Sequence, residues 1–586
     1  MPVYAIAESI VSPLGIGASL NYKAILEGKT GISFHNNIHI SPSPFYASIV
    51  DESVLSDFWT SKPNLSLPDE DWNSLTKLEK MLVAGIYDAL IGKEHFIEKD
   101  DTAFIFTTTK GNIQLANRGY SDELLLWNTA QKVASIFKHP SEPYTISNAC
   151  ISGLSGIILG KRLIDHGFVQ TAIVVGGDLV SEFTFSGFSS FKAISPEPCK
   201  PYDKNRLGIT LGEGVGVVVL SKNNSDIRIC GGATSSDANH ISGPSRTGEG
   251  LVIAIDAATK EANIALSEIN FISLHGTGTS YNDEMEAQGL NRLGLEKVPV
   301  HSLKGYFGHT LGAAGLMEAA LDIQMMRNGM SIPSFGFSEL GTTLPLNVCS
   351  SSKAIKIDTL LKTASGFGGC NAAVVFKKVD RLSIAKAEAR LKAFSYNLKK
   401  EISIRTNEGS IQIKLNGREI YNQKLEGNAD DTLNAAFREL CPGYLKFFKM
   451  DRLCKLGFLA TELLLKDISP LKKFSPEDIG VSISNRSSSL DTDLQYQQSI
   501  NDKANYFPSP AVFVYTLPNI LMGEIAIRHN FKGENLWLTM PHSDADVITE
   551  QVDLLFLRTK TKALVFGWVE ILGDAFECKL HWAERQ

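Results

Sequence analysis

Along residues 1–378, short β-branched runs alternate with stretches of helical spacing, and glycine clusters stand where one gives way to the other. Residues 104–108, 172–175, 215–220 and 372–376 read as strands between helical segments, and that alternation predicts layered α/β architecture. The glycines at 176–177, 212–216, 276–278 and 366–369 mark turns that need positive φ or a close approach of backbone to something else, and several such turns together suggest a built site. From about 380 the texture becomes polar and alternating over 401–425, with Asn407-Glu408-Gly409 and Asn416-Gly417 as hairpin signals. This places a first domain at 1–379, a β-rich connecting segment at 380–435 and a final domain at 436–586.

That final segment reads as a diverged copy of the first part. "KALVFGWVE" (562–570) echoes "TAIVVGGDL" (171–179) and "YTLPN" (515–519) echoes "LLLWN" (124–128), both 391 positions apart. "LGFLATELLL" before "IGVSISN" (479–485) repeats the helix-then-strand order of "KMLVAGIYDAL" before "AFIFTTT" (103–109). The tail ends before any second half could follow, which predicts a half-length unit needing a neighbour to cover its apolar face.

Composition removes other readings. A length of 586 residues allows at least two structural units. A net charge of −7 without a basic stripe argues against a nucleic-acid partner. Eight cysteines without CxxC pairs argue against a disulfide framework or a structural zinc site and suit a reducing cytoplasm, so no metal is expected. No run approaches the ~20 apolar residues of a membrane span.

Three residues carry the chemistry. Cys150 lies in "YTISNACISGLSGIILGKRL", a strand-turn-helix elbow with small flanking residues, where a helix N-terminus is expected to favour the thiolate and leave room for an acyl group. A cysteine taken alone is more often a buried, inert one. His275 opens "HGTGTSYNDEMEA" at the end of the apolar run "INFISL", and His309 stands in "KGYFGHTLGAAG" five residues after Lys304. Two histidines beside glycine turns plus an elbow cysteine are hard to assign to packing.

The chain resembles the β-ketoacyl synthases of fatty acid and polyketide assembly across nearly all of residues 1–378. The ordered motifs "SPLG" (12–15), "LEGKTGI" (26–32), "ACISG" (149–153), "PYDKNRLGITLGEGVGVVVL" (201–220), "HGTGTSYND" (275–283), "KGYFGHTLGAAG" (304–315) and "GFGGCNA" (366–372) carry that resemblance. It implies a thiolase fold, with αβαβα layers and two mixed sheets, plus a truncated thiolase-like half-domain in the tail. It also implies decarboxylative condensation of an acyl group on Cys150 with a malonyl group on acyl carrier protein. His275 and His309 would polarise the malonyl thioester, with Lys304 and Glu318 supporting them. The N–H groups of Cys150 and Phe367 would bind the oxyanion, and Phe367 is also a candidate gate. Thr277 and Thr279 would hold the pantetheine arm, and no cofactor is expected beyond that carrier group.

Two histidines separate this pattern from degradative thiolases, which use a second cysteine, and Cys370 stands at a variable position of the synthase motif. A coenzyme A-dependent thiolase-like enzyme and a non-catalytic scaffold that sets chain length are the alternatives. The segments "SNAC" and "TTTKGN" (107–112) depart from common elongating synthases and put a housekeeping role in doubt. In the tail, position 541 answers Cys150 and is Pro541, while nothing answers His275 or His309; His542 beside it reads as structural. The tail therefore resembles a silent chain-length factor of the aryl polyene kind, expected to form an internal pseudo-dimer with the synthase and to tune product length near Thr516–Asn519.

Overall fold

The computed structural model describes residues 1–61, 68–379, 396–407, 409–424, 427–502 and 506–586. It builds one five-strand arrangement three times. In the first repeat, β1 (Val3–Ser12), β2 (Thr102–Thr107), β3 (Tyr144–Ile146), β4 (Thr171–Asp178) and β5 (Gly214–Ser221) lie in the order β3-β2-β4-β5-β1. β3, β2 and β4 run parallel, β5 runs antiparallel to them, and β1, antiparallel to β5, runs in their direction again. Its helices are α1 (Lys77–Ala89), α2 (Ser152–Asp165) and α3 (Glu182–Ser190).

The second repeat has β6 (Ile227–Ser236), β7 (Phe271–Ser273), β8 (Pro299–His301), β9 (Thr359–Gly366) and β10 (Cys370–Lys378), ordered β8-β7-β9-β10-β6 with the same directions. Its helices are α4 (Glu249–Ala262), α5 (Ser280–Arg292) and α6 (Ala314–Asn328). The first and second sheets stack face to face with α2 and α6 between them, α1 outside one and α4 outside the other. Because both faces of each sheet are covered, the central strands are buried end to end rather than alternately, and α2 is buried on every side. The two middle helices cross at glycine: a Cβ on Gly153 would stand 2.9 Å from the Leu316 nitrogen, and one on Gly315 would stand 3.0 Å from Leu154 Cγ.

The third repeat is the tail, with β11 (Tyr396–Asn407), β12 (Ser410–Leu415), β13 (Arg418–Lys424), β14 (Ile479–Asn485), β15 (Asn535–Thr539), β16 (Ala563–Leu572) and β17 (Ala575–Arg585). Its order β15-β14-β16-β17-β11 reproduces the other two, with β12 and β13 added beyond β11. The helices α7 (Arg452–Leu465), α8 (Ile520–His529) and α9 (Ala545–Arg558) complete it. The tail unit therefore takes in residues expected to form a connector: β11 pairs along most of its length with β17 and occupies the place β1 holds in the first repeat. A hairpin rich in polar residues on one face looks like a linker in sequence, whereas its buried face, Ile402, Ile404, Ile411 and Ile413, belongs to the tail core. Asn416 at φ +50 and Gly417 at φ +77 close the β12–β13 hairpin as a two-residue turn of the kind the Asn-Gly pair predicts. Of the expected connector, 380–395 lies outside the described residues.

Strand registers place the copy. Ala172 faces Ala103 and Ile105 faces Tyr144 in the first repeat, while Ala563 faces Ile479 and Val481 faces Asn535 in the tail. Ala563 and Asn535 thus stand 391 positions after Ala172 and Tyr144, the offset read from the sequence.

The corresponding strands β3 and β15 pair with one another, antiparallel, with Ile146 opposite Leu538 and Thr145 opposite Thr539, so the first sheet runs on into the tail sheet. Buried polar contacts cross the same junction. Lys110 Nζ lies 2.8 Å from Asp493 and also donates to the Thr516 carbonyl. Arg162 lies 2.8 Å from Glu534, and Asn148 Nδ2 donates to Asn535 Oδ1 at 3.0 Å. The tail ring of Phe513 sits on α3 where a Cβ on Gly187 would collide with it at 2.1 Å. Among the described residues, no helix is long and apolar enough to cross a membrane.

Candidate active site

The β3–α2 elbow is built on a strained backbone. Ala149 takes φ +48, a conformation costly for a residue with a side chain, and Asn148 N–H donates to Ser152 Oγ while that hydroxyl donates to the Ala149 carbonyl. Cys150 follows in the single 3₁₀ turn before α2, partly exposed to a cavity of about 340 Å³. His275 enters just past β7, where Glu286 of α5 accepts from the backbone N–H groups of His275 and Gly276 at 2.7 and 2.8 Å. His309 N–H donates to the Thr210 carbonyl at 2.7 Å, and Leu311 N–H donates to its Nδ1 at 3.1 Å. A neutral ring at 309 thus carries its proton on Nε2.

These three side chains converge from both halves of the double sheet. The Cys150 Sγ and one ring nitrogen of each histidine lie within 4.8 Å of one another, and the imidazoles meet edge to face at 5.0 Å. Burial, with the Lys304 cation, holds both imidazoles well below their usual range, and the neighbouring His309 and Lys362 lower His275 further. Both rings are therefore neutral at ordinary pH. Burial pushes the Cys150 thiol up to about 12 against the pull of Lys304 and of the N–H groups of Phe367 and Cys150 itself. The expected thiolate at a helix N-terminus is thus a thiol in the resting site, because desolvation outweighs the dipole of one turn. The three donors are close enough to grip a metal ion, but a protonated thiol and the Lys304 cation oppose one.

Lys304, in the short helix Lys304–Phe307, donates to Glu318 Oε1 of α6 at 2.7 Å. Lys362 of β9 lies 2.7 Å from Glu318 Oε2 and donates to the Ser273 and Leu274 carbonyls at 3.4 and 3.3 Å, next to His275. Burial raises the Glu318 carboxyl, but the two lysines more than offset this and hold it below the usual range. Two cations on one carboxylate leave a net positive charge beneath the histidines. Sequence reasoning missed Lys362; its signal is a lone lysine in the strand "TLLKTASG", which cannot be buried unless it is paired.

In the lining of the cavity, Thr277 and Thr279 are hydrogen-bonded to each other at 2.8 Å, and Asp283 accepts from the N–H groups of Thr277 and Gly278. In the same lining Phe367 packs against Phe188 and Phe191, with ring centroids 5.9 and 5.7 Å apart, and Phe513 of the tail stands against them. The packing of Phe188, Phe191 and Phe513 around Phe367, and the contact by which Asn519 Nδ2 donates to the Phe367 carbonyl at 2.8 Å, were also missed, although Phe367 was expected at the site and Asn519 in a segment that tunes product length. Neither has a short motif, because both arise from segments distant in sequence. Cys370 lines the cavity too; burial and the neighbouring Cys150 hold its thiol well above its usual value.

Two sequence profiles match, described as "Beta-ketoacyl synthase, N-terminal domain" over residues 98–225 and "Beta-ketoacyl synthase, C-terminal domain" over 227–338. The 3-oxoacyl-[acyl-carrier-protein] synthase 2 of Vibrio harveyi is 28% identical over 408 residues, covering 63% of this chain and 97% of that one. The tetracenomycin polyketide synthase ketoacyl synthase alpha subunit of Streptomyces glaucescens is 32% identical over 252 residues, 40% of this chain and 59% of that one. Among solved structures, a ketosynthase (ApeO) in complex with its chain length factor (ApeC) from Xenorhabdus doucetiae matches 64% of this chain and 98% of its own at 27% identity and TM-score 0.58. The PfaC keto synthase-chain length factor shares the fold over 100% of this chain and 78% of its own, at 14% identity and TM-score 0.76. With the profiles, these relatives and the repeated layers in agreement, the chain has the thiolase fold and belongs to the β-ketoacyl synthases.

Proposed function

We propose that the chain is an acyltransferase that extends acyl groups in fatty acid or polyketide biosynthesis, with Cys150 holding the growing acyl chain and a malonyl group on an acyl carrier protein supplying two carbons. The observation that carries this is the meeting of the Cys150 thiol with two neutral imidazoles at the base of one cavity. In the first half-reaction, Cys150 Sγ attacks the acyl thioester as its proton passes to a neighbouring imidazole, and the departing carrier thiolate takes a proton in turn. The N–H groups of Cys150 and Phe367 face the developing oxyanion. In the second, the malonyl carboxylate leaves as CO₂, and N–H donation from His275 and His309 stabilises the enolate oxygen. The enolate carbon attacks the acyl-Cys150 carbonyl and the sulfur leaves. Lys304 helps to keep both histidines neutral and Lys362 acts on His275, while Glu318 holds the two lysines in place. The aromatic side chains lining the cavity suit an acyl chain, and the hydroxyls of Thr277 and Thr279 suit a pantetheine arm, so no further cofactor is required.

The tail acts here as a silent, chain-length-factor-like partner, and the β3–β15 pairing is what an internal pseudo-dimer would need. A polyene or aryl polyene product and a cytoplasmic setting, which suits eight free thiols, complete this reading. Cys370 does not favour a thiolase reading, since its thiol is directed at the Phe367 carbonyl, 3.3 Å away. The test is CO₂ release together with product mass from acyl and malonyl carrier proteins. Coupled CO₂ and a product longer by two carbons are expected. Condensation from coenzyme A esters without CO₂ would establish the thiolase-like alternative, and carrier binding without turnover would establish a scaffold.

A further inference from the structure

The 366–369 turn is held from both of its neighbours. Gly368 N–H donates to the Ile241 carbonyl at 2.6 Å, and the Phe367 carbonyl, at the other end of the same peptide, accepts from Asn519 Nδ2 at 2.8 Å. Asn519 is 2% exposed and stands at the start of α8, in the tail. Contact there is backbone-close: a Cβ on Gly368, which has φ +90, would lie 2.6 Å from Asn519 Nδ2, and one on Gly523 would lie 2.7 Å from the Gly368 carbonyl oxygen. The amide can point only one way, since turning it over would set Oδ1 against the Phe367 carbonyl. Lys110 anchors the same tail segment, donating to the Thr516 carbonyl three residues earlier. On the other side of Phe367, Gly366 packs so tightly that a Cβ would lie 3.1 Å from the Cys150 nitrogen.

We infer that Asn519 is a positioning residue supplied by the tail, which fixes the Phe367 backbone so that its N–H meets the oxyanion formed at Cys150. The inference rests on the reading of Cys150 and Phe367 given above. It assigns the tail a part in the rate of both half-reactions, apart from any part in product length. Asn519 touches no reacting atom; it acts through a peptide clamped between the tail and the second repeat. Loss of one oxyanion donor costs roughly 10²–10³-fold, and misplacing one costs less, so removing the amide donor is expected to lower kcat for acylation and for condensation by about 10- to 100-fold.

The experiment measures Cys150 acylation, condensation and product length in the full chain and in its Asn519→Ala and Asn519→Asp variants across pH. Asn519→Asp keeps the shape, so it serves even where the alanine variant fails to fold. Its carboxylic acid donates to the Phe367 carbonyl when protonated and repels it when ionised. Its kcat is therefore expected to approach the wild-type value at low pH and to fall away as pH rises, with KM for the acyl donor and product length little changed. A merely structural asparagine would give no such pH-dependent loss in kcat. Rates equal to wild type at every pH, or a change in product length without a change in rate, would overturn the inference. A wild-type chain that never acylates Cys150 would overturn both this inference and the reading beneath it.

Discussion

The first repeat and the tail fold the same strands in the same order, yet only the first keeps a reactive elbow. After β3 the chain passes through Ala149 at φ +48 to Cys150; after β15 it passes through Met540, which is not among the residues with positive φ, to Pro541. Proline removes two things with one residue, the thiol and the backbone N–H that Cys150 has at that position. The strain at Ala149 has been given up where no chemistry uses it. The helices that follow differ in the same sense. α2 is buried throughout and carries Gly153, Gly156 and Gly160 where neighbouring atoms press on its backbone, whereas α9 contains no glycine and leaves Asp546 and Thr549 exposed. A half-fold without a second half needs only one covered face. The comparison teaches that strand order is retained by burial, while an active elbow is retained only where a reaction repays its strain.

The largest effect expected from breaking the contrast is at the elbows themselves. Cys150→Ala should lower self-acylation by roughly 10³-fold or more, and adding a thiol with Pro541→Cys in that variant should not restore it, because His542 beside it is exposed and answers neither His275 nor His309. Mass spectrometry of the intact chain after incubation with an acyl thioester reads both; acylation of the Pro541→Cys thiol would remove the distinction between the repeats.

Next are His275 and His309, which come from the second repeat. His275→Ala or His309→Ala should cut condensation by about 10²–10³-fold while leaving at least part of Cys150 acylation, as measured by CO₂ release beside acyl-enzyme formation. Equal loss of both steps would show that the histidines do not serve the enolate specifically.

Coupling between the repeats can be broken at Lys110. Lys110→Met strands the Asp493 carboxylate in the junction and should cost about 3 kcal/mol of stability, read as a lower denaturant midpoint, and the double change Lys110→Met with Asp493→Leu should recover much of it. If the single variant unfolds like wild type, the junction is not a packed interface.

A smaller and sharper effect concerns pH. Lys304 and Lys362 face Glu318 from two elements; Glu286 and Asp283 of α5, Tyr202, Arg206 and Cys199 lie around them, with Asp178 behind Cys150. Burial and the two lysines depress His275, so wild-type condensation should hold through neutral pH and fall only in acid, where the imidazole gains a proton. Lys362→Met removes one depressing cation, raises the His275 value and should move that acid limb upward by about one pH unit. Adding Glu318→Gln restores the net positive charge and should move the limb back, so a limb unmoved by Lys362→Met, or one that stays raised in the double variant, would refute the electrostatic role.

The layered α/β class, the motif set and the 391-residue offset were legible in the sequence because each rests on local patterns: apolar runs set strands, glycines set turns, and a repeated register survives as spacing. The same locality explains what was misread. The hairpin at 396–424 was taken for a connector because pairing between β11 and β17 spans a separation that no local pattern reports. The thiolate at Cys150 was expected from a helix terminus, whereas burial where the first two repeats meet decides its proton. Only the tertiary structure brings Lys362 beneath His275, Phe513 behind Phe367 and Asn519 onto the Phe367 carbonyl, because desolvation, ion pairing and backbone clamping depend on which distant segments meet.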